Sequence, residues 1–279
     1  MSKWNLIVDV GECTNCQDCT LATMDEYVGN EWPGYAAPMP RLGHRWIDIK
    51  AKERGQVPTV DVAFMPTMCN HCDNAPCIKV AKDGAITKRA DGIVIIDPVK
   101  AKGQKEIVDA CPYGAVWWNE ELQLPQHWNF DAHLLDRGWT KTRGELSCPI
   151  GAMKAVKVSD DEMQRMAKAE ELEVLQPELG TKPRVYYRNI YRYTKAFIAG
   201  TVSTLKNGEV DCLEGAKVRL IKDGKTIAQM QTDNYGDFKF DRLDEKSGAY
   251  RVEIEAPGLP AKARDVTLNE SVVLGEIRL

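Results

Sequence analysis

The 279-residue sequence has no apolar run approaching the roughly 20 residues that span a bilayer, so no membrane helix is expected. Charge of neither sign dominates: 37 Lys and Arg against 41 Asp and Glu leave a net charge of -4. That balance gives no reason to expect nucleic acid or an anionic membrane surface as partner. There is no Gly-rich phosphate loop, no nucleophile elbow and no His-Glu-x-x-His run, and histidine is scarce at four residues. The common equipment of phosphoryl transfer and hydrolysis is absent. The first clustered cysteine comes at residue 13, which leaves no room before it for a signal peptide or twin-arginine leader. The expected location is the cytoplasm.

Cysteine, by contrast, is plentiful and clustered. Eight of nine lie before residue 150: Cys13, Cys16, Cys19, Cys69, Cys72, Cys77, Cys111 and Cys148. Short intervals of this kind favour metal ligation over disulfides. The ninth, Cys212, stands in "GEVDCLEGAKVRL", a strand-and-turn context, and is expected to be a buried or half-buried thiol with no metal role.

The segment "CTNCQDC" sets Cys13, Cys16 and Cys19 at the spacing that opens a ferredoxin-type run, but the fourth place, position 23, holds threonine. The segment "CNHCDNAPC" supplies Cys69, Cys72 and Cys77, and its fourth place holds Ala81. Two Cys-Pro-x-Gly-Ala runs follow, "CPYGA" at Cys111 and "CPIGA" at Cys148. In two-cluster ferredoxins the proline-flanked fourth cysteine ligates the other cluster. Counting back from Cys111 along that template reaches Ala101, Gln104 and Ile107. One site of the module, at positions 81, 101, 104 and 107, has thus been erased, and Thr23 belongs to a second erased site.

The surviving cysteines form two complete sets. Cys13, Cys16, Cys19 and Cys148 make one, and Cys69, Cys72, Cys77 and Cys111 the other. Each is expected to hold a [4Fe–4S] cluster. Four protein ligands per cluster leave no open iron for substrate, so the expected role is electron transfer, with no catalytic residue of its own. The alternative from another class is a scaffold protein with zinc or vestigial sites, since structural zinc also takes four cysteines. Triplets joined to a distant Cys-Pro favour iron–sulfur. His71 is expected to shape the backbone or face solvent, Met24, Met65 and Met68 to pack against the ligand loops, and Trp117 and Trp118 to form core or a subunit contact.

The predicted fold class is α+β: a ferredoxin-type double module over residues 1–175, an extended linker or arm over 176–197, and a small all-β sandwich or barrel over 198–279. Ser159 and Glu162 form a capping box that predicts a short amphipathic helix through about Leu172. "GTKPRVYYRNIYRYTK" reads as the arm. Beyond it, about seven short alternating strands are separated by turns such as Lys222-Asp223-Gly224-Lys225 and Asn234-Tyr235-Gly236. The expected role of this domain is docking or stabilisation.

Taken together, the four cysteine groups, "HLLDRGW" and "GTKPRVYY" resemble the iron–sulfur (beta) subunits of molybdopterin oxidoreductases of the dimethyl sulfoxide reductase type. Within that family, "NEWPGY", "GHRWIDI", "HCDNAPC", "DGIVIIDP" and "VWWNEE" are similar to the small subunits of pyrogallol–phloroglucinol transhydroxylase and related resorcinol or benzenetriol hydroxylases. So is "TDNYGDFKFDRLD", which resembles part of an Ig-like, carboxypeptidase-regulatory-like domain. The resemblance implies a partner: a large catalytic subunit with molybdenum or tungsten on molybdopterin guanine dinucleotide, acting on a phenolic ring in anaerobic aromatic degradation. It also implies an external electron acceptor where the reaction is a net hydroxylation. Nitrate, polysulfide or aldehyde chemistry in the large subunit is the alternative. The departure lies in one family ligand set, whose positions match Thr23, Trp128, Asp131 and Gly144 here.

Overall fold

The computed structural model describes residues 1–279 and divides into two compact units. One comprises Met1–Lys50 with Phe64–Ile190, the other Ala51–Ala63 with Tyr191–Leu279.

The first unit is built on a four-stranded sheet whose strands run in the order Met153–Val158, Lys3–Asp9, Val185–Arg188, Glu173–Val174. "KWNLIVD" is buried at six of its seven positions, the signature of a central strand covered on both faces. It pairs antiparallel with Met153–Val158 and parallel with Val185–Arg188. The helix Asp160–Ala169 starts where the sequence predicts it, with Ser159 Oγ accepting from the Glu162 N–H at 3.2 Å. Glu162 itself pairs with Arg165, not with the cap backbone. The helix ends three residues short of Leu172, which still packs with Met163 and Ile7 against the sheet.

The segment read as an extended arm is different. Val185–Arg188 is a sheet strand, with Val185 and Tyr187 fully buried and the Tyr187 hydroxyl donating to the Pro66 carbonyl at 3.1 Å. Arg184 is also buried; its guanidinium donates to Asp73 at 2.7 Å, Asn5 at 3.1 Å and Asp160 at 2.9 Å. Burying Val185 and Tyr187 and pairing the backbone with Lys3–Asp9 outweighs the freedom of a linker.

The second unit is a β-sandwich. Ala196–Lys206 pairs with Glu209–Cys212, Asp237–Leu243 and, in parallel, Val272–Arg278. The facing sheet runs Lys225–Gln231, Lys217–Lys222, Gly248–Glu255, Lys262–Leu268. Alternating residues of both sheets, among them Ile198, Val202, Val218, Leu220, Phe238, Phe240, Val252 and Ile254, form one core. The turn after Lys222 closes a hairpin as its Asp-Gly predicts. At Gly236 φ is +76°, and a Cβ there would lie 2.2 Å from the Val202 carbonyl oxygen, so the position requires glycine.

Cys212 is exposed, contrary to expectation. It ends the strand Glu209–Cys212, all four residues of which are exposed because the strand pairs only with the far end of Ala196–Lys206.

Candidate metal centre: two groups of four thiols

The first group is shaped by a tight loop after the strand Lys3–Asp9. Asp9 anchors it: its carboxylate accepts from the Gly11 N–H at 2.8 Å and from Asn189 at 2.9 Å, and its carbonyl accepts from the Cys13 N–H at 3.2 Å. Asn15 and Gln17 both take positive φ, 61° and 67°, reversing the chain before the helix Asp18–Tyr27. Cys19 rides on the first turn of that helix. Cys148 arrives from elsewhere, just past the helix Arg143–Ser147, which Thr142 caps by accepting from the Glu145 N–H at 3.2 Å. The two helices pack together, with the Ser147 hydroxyl on the Asp18 carbonyl at 3.2 Å.

The second group begins where the strand Thr59–Met68 ends. Asn70 O accepts from Arg184 N at 2.8 Å, Asp73 N donates to Lys182 O at 2.9 Å, and Asn74 N donates to Thr181 O at 2.9 Å. "GTKPR" is therefore laced to the loop carrying Cys69 and Cys72. Cys77 lies in the helix Pro76–Val80, which opens with proline where no amide partner is needed. Cys111 follows the helix Glu106–Asp109.

The two Cys-Pro-x-Gly-Ala runs fold alike. Each glycine has positive φ, and the alanine N–H after it points back at the sulfur: Ala115 N to Cys111 Sγ at 3.4 Å, Ala152 N to Cys148 Sγ at 3.2 Å. An N–H aimed at sulfur favours thiolate.

Within each group the thiols feel one another. Burial raises the Cys13 pKa, and the Cys16 and Cys148 sulfurs push it further. Burial takes Cys19 up to about 12, with Cys13 and Cys16 adding to it. In the second group burial raises Cys69 strongly, with Cys77, Cys111 and Cys72 contributing. Cys72 and Cys77 are each pushed up to about 11, again chiefly by burial, and Cys111 raises both. Four crowded thiols of this kind resist ionising together unless a cation shares their charge. Nowhere do three His, Cys, Asp or Glu side chains gather at the spacing of a single metal ion. The donor chemistry suits a polynuclear iron–sulfur cluster, which soft thiolates hold at its corners.

The positions read as erased are filled with protein. Thr23 is buried and its hydroxyl donates to the Cys19 carbonyl at 2.9 Å. Asp131, fully buried, accepts from Tyr27 Oη at 2.9 Å, Trp128 Nε1 at 3.0 Å and the Arg143 N–H at 2.7 Å. Trp128 stacks on Phe130 with ring centroids 4.8 Å apart. At the other erased site Gln104 accepts from Lys82 N at 2.8 Å and donates to Lys100 O at 2.8 Å. Ala101 and Ile107 there are fully buried, and Ala81 packs against them.

His71 is buried, not solvent-facing, and its φ of 45° does shape the ligand loop. Its Nδ1 accepts from the Val94 N–H at 3.1 Å, and its ring meets Trp128 at 5.7 Å and Phe130 at 5.3 Å. The aromatic filling therefore contacts the second ligand loop through His71. Gly144 lies beside the first, where a Cβ would sit 3.5 Å from Cys19 Cβ. Met65 and Met68 are buried, and Trp117 and Trp118 are half-buried in the hairpin Trp117–Asn119 with Leu124–Gln126. Two polar neighbours of the second group, Lys88 and Thr181, carry no local signal. Lys88 Nζ donates to the carbonyls of His71 at 2.6 Å and Cys72 at 3.0 Å.

Comparison with known proteins gives the same frame. Residues 60–158 match a 4Fe-4S dicluster domain, and residues 198–277 a carboxypeptidase regulatory-like domain. The chain is 45% identical to the pyrogallol hydroxytransferase small subunit of Pelobacter acidigallici, over the full length of both. The chain belongs to the iron–sulfur subunits of the dimethyl sulfoxide reductase-type molybdopterin oxidoreductases. It is also 32% identical to one of the tetrathionate reductase subunits of Salmonella typhimurium, over 66% of this chain and 72% of that one. With a putative dimethyl sulfoxide reductase iron–sulfur subunit of Halobacterium salinarum it shares 29% identity over 68% of this chain and 80% of that one. As a member of this family the chain is an electron-transfer subunit, and catalysis resides in a large partner subunit. No helix is long and apolar enough to cross a membrane.

Proposed function

We propose that this chain carries two [4Fe–4S] clusters, one held by Cys13, Cys16, Cys19 and Cys148 and the other by Cys69, Cys72, Cys77 and Cys111. It serves a cytoplasmic heterodimeric enzyme that hydroxylates or transhydroxylates a phenolic ring. The observation that carries the reading is the grouping of eight thiols into two sets of four, each closed by a cysteine from a distant Cys-Pro-x-Gly-Ala run. The phenolic substrate rests on the full-length similarity to a pyrogallol hydroxytransferase small subunit. The large subunit would hold the metal on molybdopterin guanine dinucleotide, and an external acceptor would take electrons from a net hydroxylation.

When bound, the clusters supply one-electron reduction and oxidation. The chain's own residues do the rest. The anchored loops hold the sulfurs in place, Ala115 and Ala152 aim N–H groups at two of them, and Trp128 and Phe130 pack against His71 of the second ligand loop.

The test is iron and acid-labile sulfide on anaerobically purified complex, with EPR after dithionite and turnover of trihydroxybenzenes. About eight irons and eight sulfides per chain are expected. Colourless, zinc-loaded protein would sink the cluster reading, and inactivity on phenols alongside turnover of nitrate or polysulfide would sink the substrate.

A further inference from the structure

Trp128, Asp131 and His71, each at most 1% exposed, stand in a continuous line of contacts between the two thiol groups. Asp131 faces the first group. Its carboxylate accepts from the Arg143 backbone N–H at 2.7 Å, and Arg143 opens the five-residue helix that ends at Cys148. It also accepts from the Tyr27 hydroxyl at 2.9 Å, and Tyr27 closes the helix that carries Cys19. The same carboxylate oxygen takes the Trp128 Nε1–H at 3.0 Å. Beyond Trp128 lies the second group. The indole meets the His71 ring edge to face with centroids 5.7 Å apart, and Phe130, stacked on Trp128, meets His71 at 5.3 Å. His71 stands between Cys69 and Cys72 in their ligand loop, where the Val94 N–H fixes its Nδ1 at 3.1 Å.

Electronic coupling between two redox centres falls steeply across gaps, and less steeply through bonds, hydrogen bonds and packed rings. A close-packed interior keeps such gaps few. The fold offers a second connection through backbone. The Arg184 carbonyl, near the second ligand loop, accepts from the Leu6 N–H at 2.9 Å, and the strand runs on to Asp9, whose carbonyl meets the Cys13 N–H. Indole and imidazole π-orbitals lie closer in energy to those of a cluster than the orbitals of saturated backbone do. The route through Trp128 is therefore the better conductor, and a single substitution removes it without touching the strand.

We propose that Trp128 is a positioning residue for electron exchange, coupling the cluster at Cys13, Cys16, Cys19 and Cys148 to the one at Cys69, Cys72, Cys77 and Cys111. Asp131 makes the contact on one side and His71 on the other. This rests on the two-cluster reading above. In the exchange one cluster loses an electron and the other gains it. No bond forms or breaks, no proton moves, and neither ring is itself oxidised or reduced. Side chains at the erased ligand positions thus keep the two remaining centres in electronic contact.

The experiment is flash photoreduction of the anaerobic complex by deazaflavin, one electron per complex, followed by rapid-freeze EPR of the two cubane signals. Cys111→Ser and Cys148→Ser assign each signal to its group. Wild type is compared with Trp128→Leu and Trp128→Phe, with iron and both midpoint potentials measured in each. Trp128→Leu should slow the passage of the electron from one signal to the other several-fold. Trp128→Phe, which keeps a ring but loses the N–H to Asp131, should slow it by less. About eight irons and both midpoints should stay at wild-type values, a result that separates coupling from a structural role. An unchanged rate in Trp128→Leu would overturn the inference and leave the exchange to the strand. A slower rate matched by a shift in either midpoint would also overturn it, because driving force would then account for the change. Both outcomes leave the cluster reading intact. Wild-type complex without iron would overturn that reading, and this inference with it. Should Trp128→Leu fail to load clusters, Trp128→Phe decides, and a wild-type rate there would overturn the inference.

Discussion

Tyr27 and Asp131, 104 positions apart in the chain, meet through a 2.9 Å hydrogen bond with both side chains fully buried. Asp131 takes two more donors, Trp128 Nε1 and the Arg143 N–H, so both carboxylate oxygens are in use. Burial nonetheless raises its pKa, with the Arg143, Tyr27 and Trp128 donors pulling the other way. The network fills the positions that the sequence analysis reads as an erased ligand set.

Asp131→Ala should strand the Arg143 N–H and Trp128 Nε1 without partners, while the Tyr27 hydroxyl keeps Asn129. A loss of about 1–3 kcal/mol per unsatisfied group is expected, read as a lower denaturant midpoint. Iron content should stay at the wild-type value, since none of the eight cysteines is touched. Iron falling by about a third or more would mean that Asp131 itself supports a cluster.

Cys111→Ser and Cys148→Ser each remove one thiol from one group. Each variant should keep one cubane EPR signal and lose the other, with iron falling from about eight to about four per chain. If either serine variant lost both signals, the two groups would not be independent sites.

Asp61 offers a pH test in the second unit. Burial raises its pKa, but hydrogen bonds from Arg192, at 2.6 Å, and from buried Arg54 outweigh that and take it down to about 2. A carboxylate whose folded pKa lies below its unfolded value stabilises the fold above the unfolded pKa. That contribution is lost as pH falls through the folded one. Stability of this unit should therefore drop between about pH 4 and pH 2, by on the order of 2 kcal/mol from this group. Asp61→Asn should flatten that part of the curve, and should cost on the order of 2 kcal/mol at pH 7, since Arg54 keeps the Asp241 carboxylate. An unchanged acid slope in thermal unfolding would refute the assignment.

Gly236→Ala should destabilise the sandwich by more than about 1–2 kcal/mol, because the left-handed φ and the Val202 carbonyl both oppose a Cβ. Gly224→Ala has the same sign of φ, +73°, but no neighbour within 4 Å. It should cost the backbone strain alone. Equal losses in the two variants would show that the close contact is not what matters.

Local chemistry made much of this molecule legible. Cysteine triplets, Cys-Pro-x-Gly-Ala turns, the Ser159 cap and the Asp-Gly hairpin each depend on residues within a few positions of one another, where spacing alone constrains geometry. The alternation of the C-terminal strands likewise follows from a period of two with one face buried. The strand Val185–Arg188 was hidden because valine and tyrosine favour a strand but four residues after a proline are too few to show an alternating period. What makes them a strand is the exposed edge of Lys3–Asp9 awaiting a parallel partner. The grouping of residues 51–63 with the sandwich had no local mark either. Nor did the Asp131 network or the buried Arg184. Each joins side chains far apart in sequence, and which of them meet is settled only when the whole chain competes for one interior. Sequence by itself determined the kinds of ligand loop and their order along the chain. Tertiary structure decided what surrounds each sulfur, because hydrogen-bond donors and burial at a site come from whichever distant segment packs there.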